Sequence, residues 1–341
     1  MVGIFTGPVD RFLKIEAASG ILLILSAVAA LVWANSPWAE SYQHLWHTQV
    51  QIGVGELVFS RDLHFWISDG LMVIFFFVVG LEIRREMHHG ELSELRRAAL
   101  PLAAAFGGMA VPAAIYLAFN WGGEAAKGWA IPTATDIAFA VGVLTLLGKR
   151  APAALRIFLL ALAVIDDIGA ILVIAIFYSS GIVLAGLGIT VVGIVTVLFM
   201  QRLGVRQPLL YVAPGVVIWA GLLVAGVHPT IGGVILGLLT PAKRWFGDEG
   251  FLHAVESAVG QVRASTQGSS GDAHELTAPL HRVAQAAREA QSPVIRLEHL
   301  LHPWVAFAIM PLFALANAGV SFGEIDFAAP GALGIALGAG L

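Results

Sequence analysis

ALAVIDDIGAILVIAIFY, residues 161–178, is an apolar run of helix length that carries two adjacent carboxylates, Asp166 and Asp167. An ionised group at the centre of a hydrocarbon layer costs about 2.5–3.5 kcal/mol by the lower estimates. A helix that crosses a bilayer keeps such groups only where they face a polar cavity or a partner. Neighbouring residues on a helix point about 100° apart. One of the two acids can therefore reach a site while the other flanks it. A plainer alternative stays open at this point: a carboxylate pair that only makes hydrogen bonds between helices.

The rest of the chain has the same character. Of its 341 residues, 58% are hydrophobic and 12% charged, and the mean hydropathy is +0.83. That composition excludes a soluble globular domain and reads as a polytopic helical membrane protein. With no cysteine, disulfides, thiol catalysis and cysteine-ligated metals are excluded. Ten apolar segments are expected as helices, at 15–34, 66–83, 99–119, 129–147, 155–178, 182–200, 208–226, 229–241, 303–320 and 328–341. The eighth is short and rich in glycine, so it is expected to be tilted or incomplete in the bilayer. The first has no small-residue cleavage motif near its end and reads as a span, not a signal peptide.

Basic residues set the orientation. Arg11 and Lys14 precede the first segment, Arg84, Arg85, Arg96 and Arg97 follow the second, and Lys149, Arg150 and Arg156 follow the fourth. Arg202 and Arg206 follow the sixth, and Lys243 and Arg244 the eighth; only Arg61 and Lys127 fall on the other side. By the positive-inside rule the N-terminus is cytoplasmic.

A second acidic stretch is GWAIPTATDIAFAVGVL, residues 128–144. Pro132 removes a backbone donor and disfavours helix at Ile131. Thr133, Thr135 and Asp136 follow at once. The run reads as a helix interruption whose freed carbonyls, hydroxyls and carboxylate line a cavity, although a helix that merely starts at this proline fits too. Thr135, Asp136, Asp166 and Asp167 offer hard oxygen ligands and no soft ones, which suits a small hard cation or protons. Protons and a cation then compete for the same oxygens. Competition at one site, exposed alternately to either side, suffices for an exchanger.

A third cluster, GLEIRREMHHGELSELRR (80–97), lies at the cytoplasmic end of the second segment. Glu82, Arg85 and Glu86 can pair at helical spacings. RLEHLLHP (296–303) puts Glu298, His299 and His302 at the start of the ninth segment, and His228 begins the eighth. These groups are candidates for sensing pH; solvated, charged helix ends are the alternative reading.

Two loops carry further information. TQVQIGVGELVFSRD (48–62) alternates apolar and polar residues around Gly53 and Gly55, which predicts a small β-hairpin on the outer face. The polar stretch 247–300 reads as a cytoplasmic loop inserted in a single transmembrane domain, 1–341. Within it, 266–274 has the composition of a flexible linker, and Leu276, Leu280, Val283 and Ala287 mark one weakly apolar helix face. No nucleotide fingerprint occurs, because the glycines lie in apolar runs and not at strand-to-helix turns.

Five stretches together, FFFVVGLEIRREM (75–87), 128–144, 156–178, AGVHPTIGGVILG (225–237) and LHPWVAFAIMPLFALANAGV (301–320), resemble the NhaA family of bacterial sodium/proton antiporters. The resemblance covers nearly the whole chain. It implies about twelve spans with inverted repeats and broken helices. It places cation binding at Asp166 and Asp167, puts Thr135 and Asp136 near the break of the fourth span, and assigns pH sensing to the cytoplasmic cluster Glu82, Arg85, Glu86, Glu298, His299 and His302. It makes the hairpin 48–62 a homodimer contact. The implied activity is export of Na+ or Li+ against entering H+ across the bacterial inner membrane, with no cofactor and no nucleic-acid partner.

The loop 247–300 is longer than in the family's shorter members. The last apolar segment, 328–341, is shorter than a span and lacks a basic residue after it, so the chain is expected to be truncated; the resemblance implies an embedded lysine and a second broken helix beyond that point. A non-transporting membrane fragment is therefore one alternative function. An intramembrane aspartyl protease with a two-carboxylate dyad is another, against which the Gly-x-Gly-Asp and Tyr-Asp contexts are missing.

Overall fold

The computed structural model describes residues 8–55, 57–133, 152–179, 181–243, 250, 252–253, 255–260, 283–284, 290–324 and 335. Helix α1 runs Pro8–Ala34 and α2 runs Ala39–Trp46. Strands β1 (Gln49–Val54) and β2 (Leu57–Asp62) follow. Helix α3 is assembled from Leu63–Phe65, a π-helical turn Trp66–Leu71 and Met72–His89. Then come α4 (Leu95–Asn120), α5 (Ala153–Phe177), α6 (Leu184–Arg202), α7 (Val212–Ala225) and α8 (Ile231–Leu239). Helix α9 joins Pro293–Trp304, a second π-helical turn Val305–Ile309 and Met310–Asn317.

The ten expected spans are borne out in part. Among the described residues, six helices are long and apolar enough to cross a membrane: α3, α4, α5, α6, α7 with the turn before it, and α9. A seventh exists if α1 and α2 count as one broken span, bent by 116°. The bend has a local cause. Asn35 donates to the Leu31 carbonyl at 2.8 Å and to Val320 O at 2.8 Å, and Phe322 N–H bonds back to Asn35 Oδ1 at 2.7 Å. The side chain thus ends α1 by tying it to the segment after α9. The eighth expected segment is a helix of nine residues, about half the length a span needs. The greater part of the fourth, the whole of the tenth apart from Ile335, and three of the four residues of the expected apolar face (Leu276, Leu280 and Ala287) lie outside the described residues.

The ninth helix begins at Pro293, ten residues before its expected start. Ser292 supplies the reason, since its hydroxyl accepts from Ile295 N–H at 3.4 Å and Pro293 occupies the first turn, where a missing donor costs nothing. The π-turn further along stands just before Pro311, whose ring would collide with the carbonyl four residues back in a regular helix.

The hairpin forms as the alternation predicts. Gln49 pairs with Asp62 and Val54 with Leu57, and the turn between them uses Gly55 at φ 64°, open to glycine without strain. Asp62 then caps α3 by accepting from Phe65 N–H at 2.9 Å. The hairpin is anchored by rings: Phe59 meets Trp66 and Trp219 edge-on at 5.6 and 6.2 Å, and the Arg61 guanidinium lies over Phe59 and Phe65.

Packing joins α6 to α7, α8 to α3, α4 to α5 and α9 to α3, while α1 lies along the last part of α9. The α3–α8 contact is backbone against backbone. A Cβ on Gly80 would stand 2.7 Å from the Val234 carbonyl oxygen, and one on Gly237 would stand 2.7 Å from that of Phe77. In a bilayer, where apolar burial drives little helix association, such close approach supplies the dispersion contacts that hold helices together.

Candidate functional site

Helix α5 is held between apolar neighbours on two sides. Val164 and Ile171 join Val79 and Ile83 of α3 and Val234 of α8 in one buried cluster. Those contacts fix the rotation of α5, and with it the direction of its acids. Asp166 is buried, at 4% exposure, and Asp167 is half-buried. Each lies in the other's field.

Asp167 also lies within electrostatic reach of Glu82 on α3. Glu82 is half-buried and is acted on by Glu298, Arg85 and His302 as well. Arg85 reaches across to α9 and forms an ion pair with Glu298. Glu298 is buried, and its second oxygen, Oε2, has no hydrogen-bond partner among the described residues. A chain of charged groups thus runs from Asp167 through Glu82 to the Arg85–Glu298 pair and His302. It joins three helices, α5, α3 and α9.

The remaining expected residues are placed as follows. Glu86 folds its carboxylate back against Gly90 at the end of α3. His299 is exposed on α9. His228 stands apart from the cytoplasmic cluster, with Nδ1 3.8 Å from an oxygen of Asp69. Thirteen positions along α3 separate Asp69 from Glu82, about 20 Å at the rise of a helix. Thr133 is buried, and its hydroxyl donates to Ala130 O at 2.7 Å; Pro132 sits in a tight turn, Ile131–Thr133. Thr135 and Asp136 lie outside the described residues.

Asp69 is the acid that sequence reasoning passed over. Its carboxylate meets His228, and its carbonyl oxygen accepts from the Trp219 indole at 2.8 Å. Close by, His64 Nε2 contacts Asn317 Oδ1 at 3.0 Å, and Ser68 and Asn317 hydrogen-bond at 3.3 Å. The signal was present in WISDGL (66–71): an acid followed by glycine inside an apolar run.

The donors that Asp166 and Asp167 offer are all carboxylate oxygen. They can take up a hard cation or protons, and they include no soft ligand. Among the described residues no group of three or more His, Cys, Asp or Glu side chains gathers as a metal site.

Known proteins share this arrangement of sequence. A relative named Na(+)/H(+) antiporter NhaA 2 from Sorangium cellulosum (strain So ce56) is 63% identical over 97% of this chain and 70% of its own length. One of the same name from Myxococcus xanthus (strain DK1622) is 59% identical over 92% of the chain and 66% of its own length. Na(+)/H(+) antiporter NhaA of Janthinobacterium sp. (strain Marseille) is 55% identical over 96% and 73%. The chain thus spans between 66% and 73% of the length of these relatives. Residues 10–341 match the family described as Na+/H+ antiporter 1. With its apolar helices and the acids set among them, the chain belongs to that family and is a multi-pass membrane protein.

Proposed function

We propose that this protein is a secondary active transporter that exchanges intracellular Na+, or Li+, for external H+. The observation that carries the reading is the pair Asp166 and Asp167 on a membrane-spanning helix, with Asp167 in the field of Glu82. Carboxylates in an apolar span are costly unless they serve an ion or proton path. The names of the relatives, all sodium/proton antiporters, support the same cargo.

In this mechanism Asp166 and Asp167 hold the cation, with Thr135 and Asp136 contributing from the fourth segment. Protonation of the same oxygens releases it. Glu82, Arg85, Glu86, Glu298, His299 and His302 lie toward the cytoplasm and tune access with pH, and His228 acts from the opposite end of α3. Residues 1–341 form one transport domain, with 247–300 as a cytoplasmic insert. Arg84 and Arg85 in the last turns of α3, Arg96 and Arg97 at the start of α4, and Arg202 and Arg206 at and beyond the end of α6 support a cytoplasmic N-terminus in a bacterial inner membrane. The two strands of the hairpin expose unpaired edges, which a partner's hairpin covers in a homodimer.

The test is reconstitution into liposomes with a pH-sensitive dye inside. Addition of Na+ or Li+ should move protons in the opposite direction, and K+ should not. Proton movement that ignores Na+ and Li+ would remove the reading.

A further inference from the structure

Helix α3 contains a turn that its sequence does not force. Over Trp66–Leu71 it is π-helical, and the N–H of Met72 bonds to the carbonyl of Ile67, five residues back. No proline stands in or near this stretch. A π-turn is an α-helix that accommodates one surplus residue, and it opens the ladder so that a carbonyl can be used elsewhere. Here the Asp69 carbonyl is used by the Trp219 indole, at 2.8 Å.

The same residue is held a second time. Its carboxylate faces His228 at 3.8 Å. Trp219 belongs to α7 and His228 to the connection between α7 and α8, so one helical hairpin grips both the backbone and the side chain of Asp69. The ring of Trp219 also stacks on Trp66 at the start of the turn, with centroids 6.3 Å apart and planes 22° from parallel. His64, from the first turn of α3, also acts on Asp69. Eleven positions further along, α8 meets α3 again at Gly80. Beyond that contact the unbroken helix carries Glu82 toward Asp167.

We propose that Trp219 and His228 are positioning residues for the exchange site. By holding Asp69 they keep the surplus residue of α3 in the π-turn, and so fix the register in which Met72–His89 presents Glu82 to Asp167. Relaxation of the turn to a regular helix would displace the following segment by one residue, about 1.5 Å along the axis and 100° around it. That is enough to turn Glu82 away from Asp167. The transport consequence rests on the exchange reading above; the register itself does not.

Trp219→Phe tests this, because it keeps a ring against Trp66 and removes only the indole donor. The KM for Na+ should rise threefold or more while the maximal rate stays within twofold and the dimer persists. His228→Gln should act in the same direction, and the pair should be non-additive, as expected for two holds on one residue. Deleting Gly70 removes the surplus residue and leaves both flanks in register, so Trp219→Phe should have no effect in the deletion background. The register has its own readout. The chain has no cysteine, so single cysteines replacing Arg84 and Met87 report which face of α3 meets water through their alkylation rates. Trp219→Phe should exchange the order of those rates, and the Gly70 deletion should restore it. Unchanged rates, or changed rates with an unchanged KM in an exchanging protein, overturn the proposal. A shift in alkylation without Na+-driven proton movement in any variant leaves the register role standing and sinks the exchange reading instead.

Discussion

Arg85 on α3 and Glu298 on α9 are ion-paired across 213 positions of sequence, with the arginine side chain 38% exposed and the glutamate 9%. The pair is lopsided: one member keeps part of its hydration and the other has lost nearly all of it. Removing either charge therefore has unequal effects. Arg85→Ala strands a buried carboxylate, and a fully buried pair broken in this way loses about 3–5 kcal/mol. Partial solvation of Arg85 places the loss below that range. Glu298→Gln leaves a guanidinium that water can reach, so it should cost less. Thermal unfolding in detergent should rank Arg85→Ala below Glu298→Gln, and the double variant should recover part of the first loss. Equal melting points for the two single variants would contradict the geometry.

The two acids of α5 give the second prediction. Asp166→Asn and Asp167→Asn should each abolish Na+-driven proton movement while expression and membrane insertion stay normal, since an amide is easier to bury than a carboxylate. Full exchange in both variants would take the pair out of the mechanism.

Competition between protons and Na+ for the same oxygens fixes the direction of the pH response. Exchange should be weak at acid pH and rise as the pH is raised through the range from about 6 to 8.5. A rate that does not vary over that range would be incompatible with a shared site.

These acids were legible because a charge in an apolar run has few explanations. The hairpin was legible for a similar reason: alternation around Gly53 and Gly55 has one common structural outcome. What could not be read was long-range pairing. Helical spacing allowed Arg85 to pair along its own helix with Glu82, and nothing in the local sequence pointed to Glu298. Asp69 was missed because it lies near the expected edge of its span, where acids are ordinary. The π-turn around it depends on Trp219, which is 150 residues away.

Two glycines on different helices should respond oppositely to the same substitution. At Gly80 an added Cβ meets the Val234 backbone at 2.7 Å, so Gly80→Ala forces α3 and α8 apart, at a cost of about 1–3 kcal/mol. At Gly107 on α4 an added Cβ meets nothing within 4 Å among the described residues. There Gly107→Ala should stabilise by about 0.5–1 kcal/mol through helix propensity alone. Melting temperatures of the two variants, measured side by side, check the contrast.

Removing residues 51–58 trims the hairpin but spares Phe59 and Arg61, which hold it to the aromatic cluster. The dimer fraction in detergent should fall, because Ile52 and Val58 are exposed at 57% and 52% and the strand edges go with them. Na+-driven exchange should persist. A dimer population unchanged by cross-linking would place the contact elsewhere.

The brevity of α8 bears on how the protein is made. Nine residues of helix reach about 14 Å, while the hydrocarbon layer is about 30 Å thick. A segment of that reach cannot leave the translocon and settle in lipid unaided, however apolar its side chains. Its glycines need the backbone of α3, synthesised some 150 residues earlier, and its N-terminal end needs α7. Insertion of α8 is thus a late event in biogenesis, deferred until α3 and α7 are already in the bilayer to receive it.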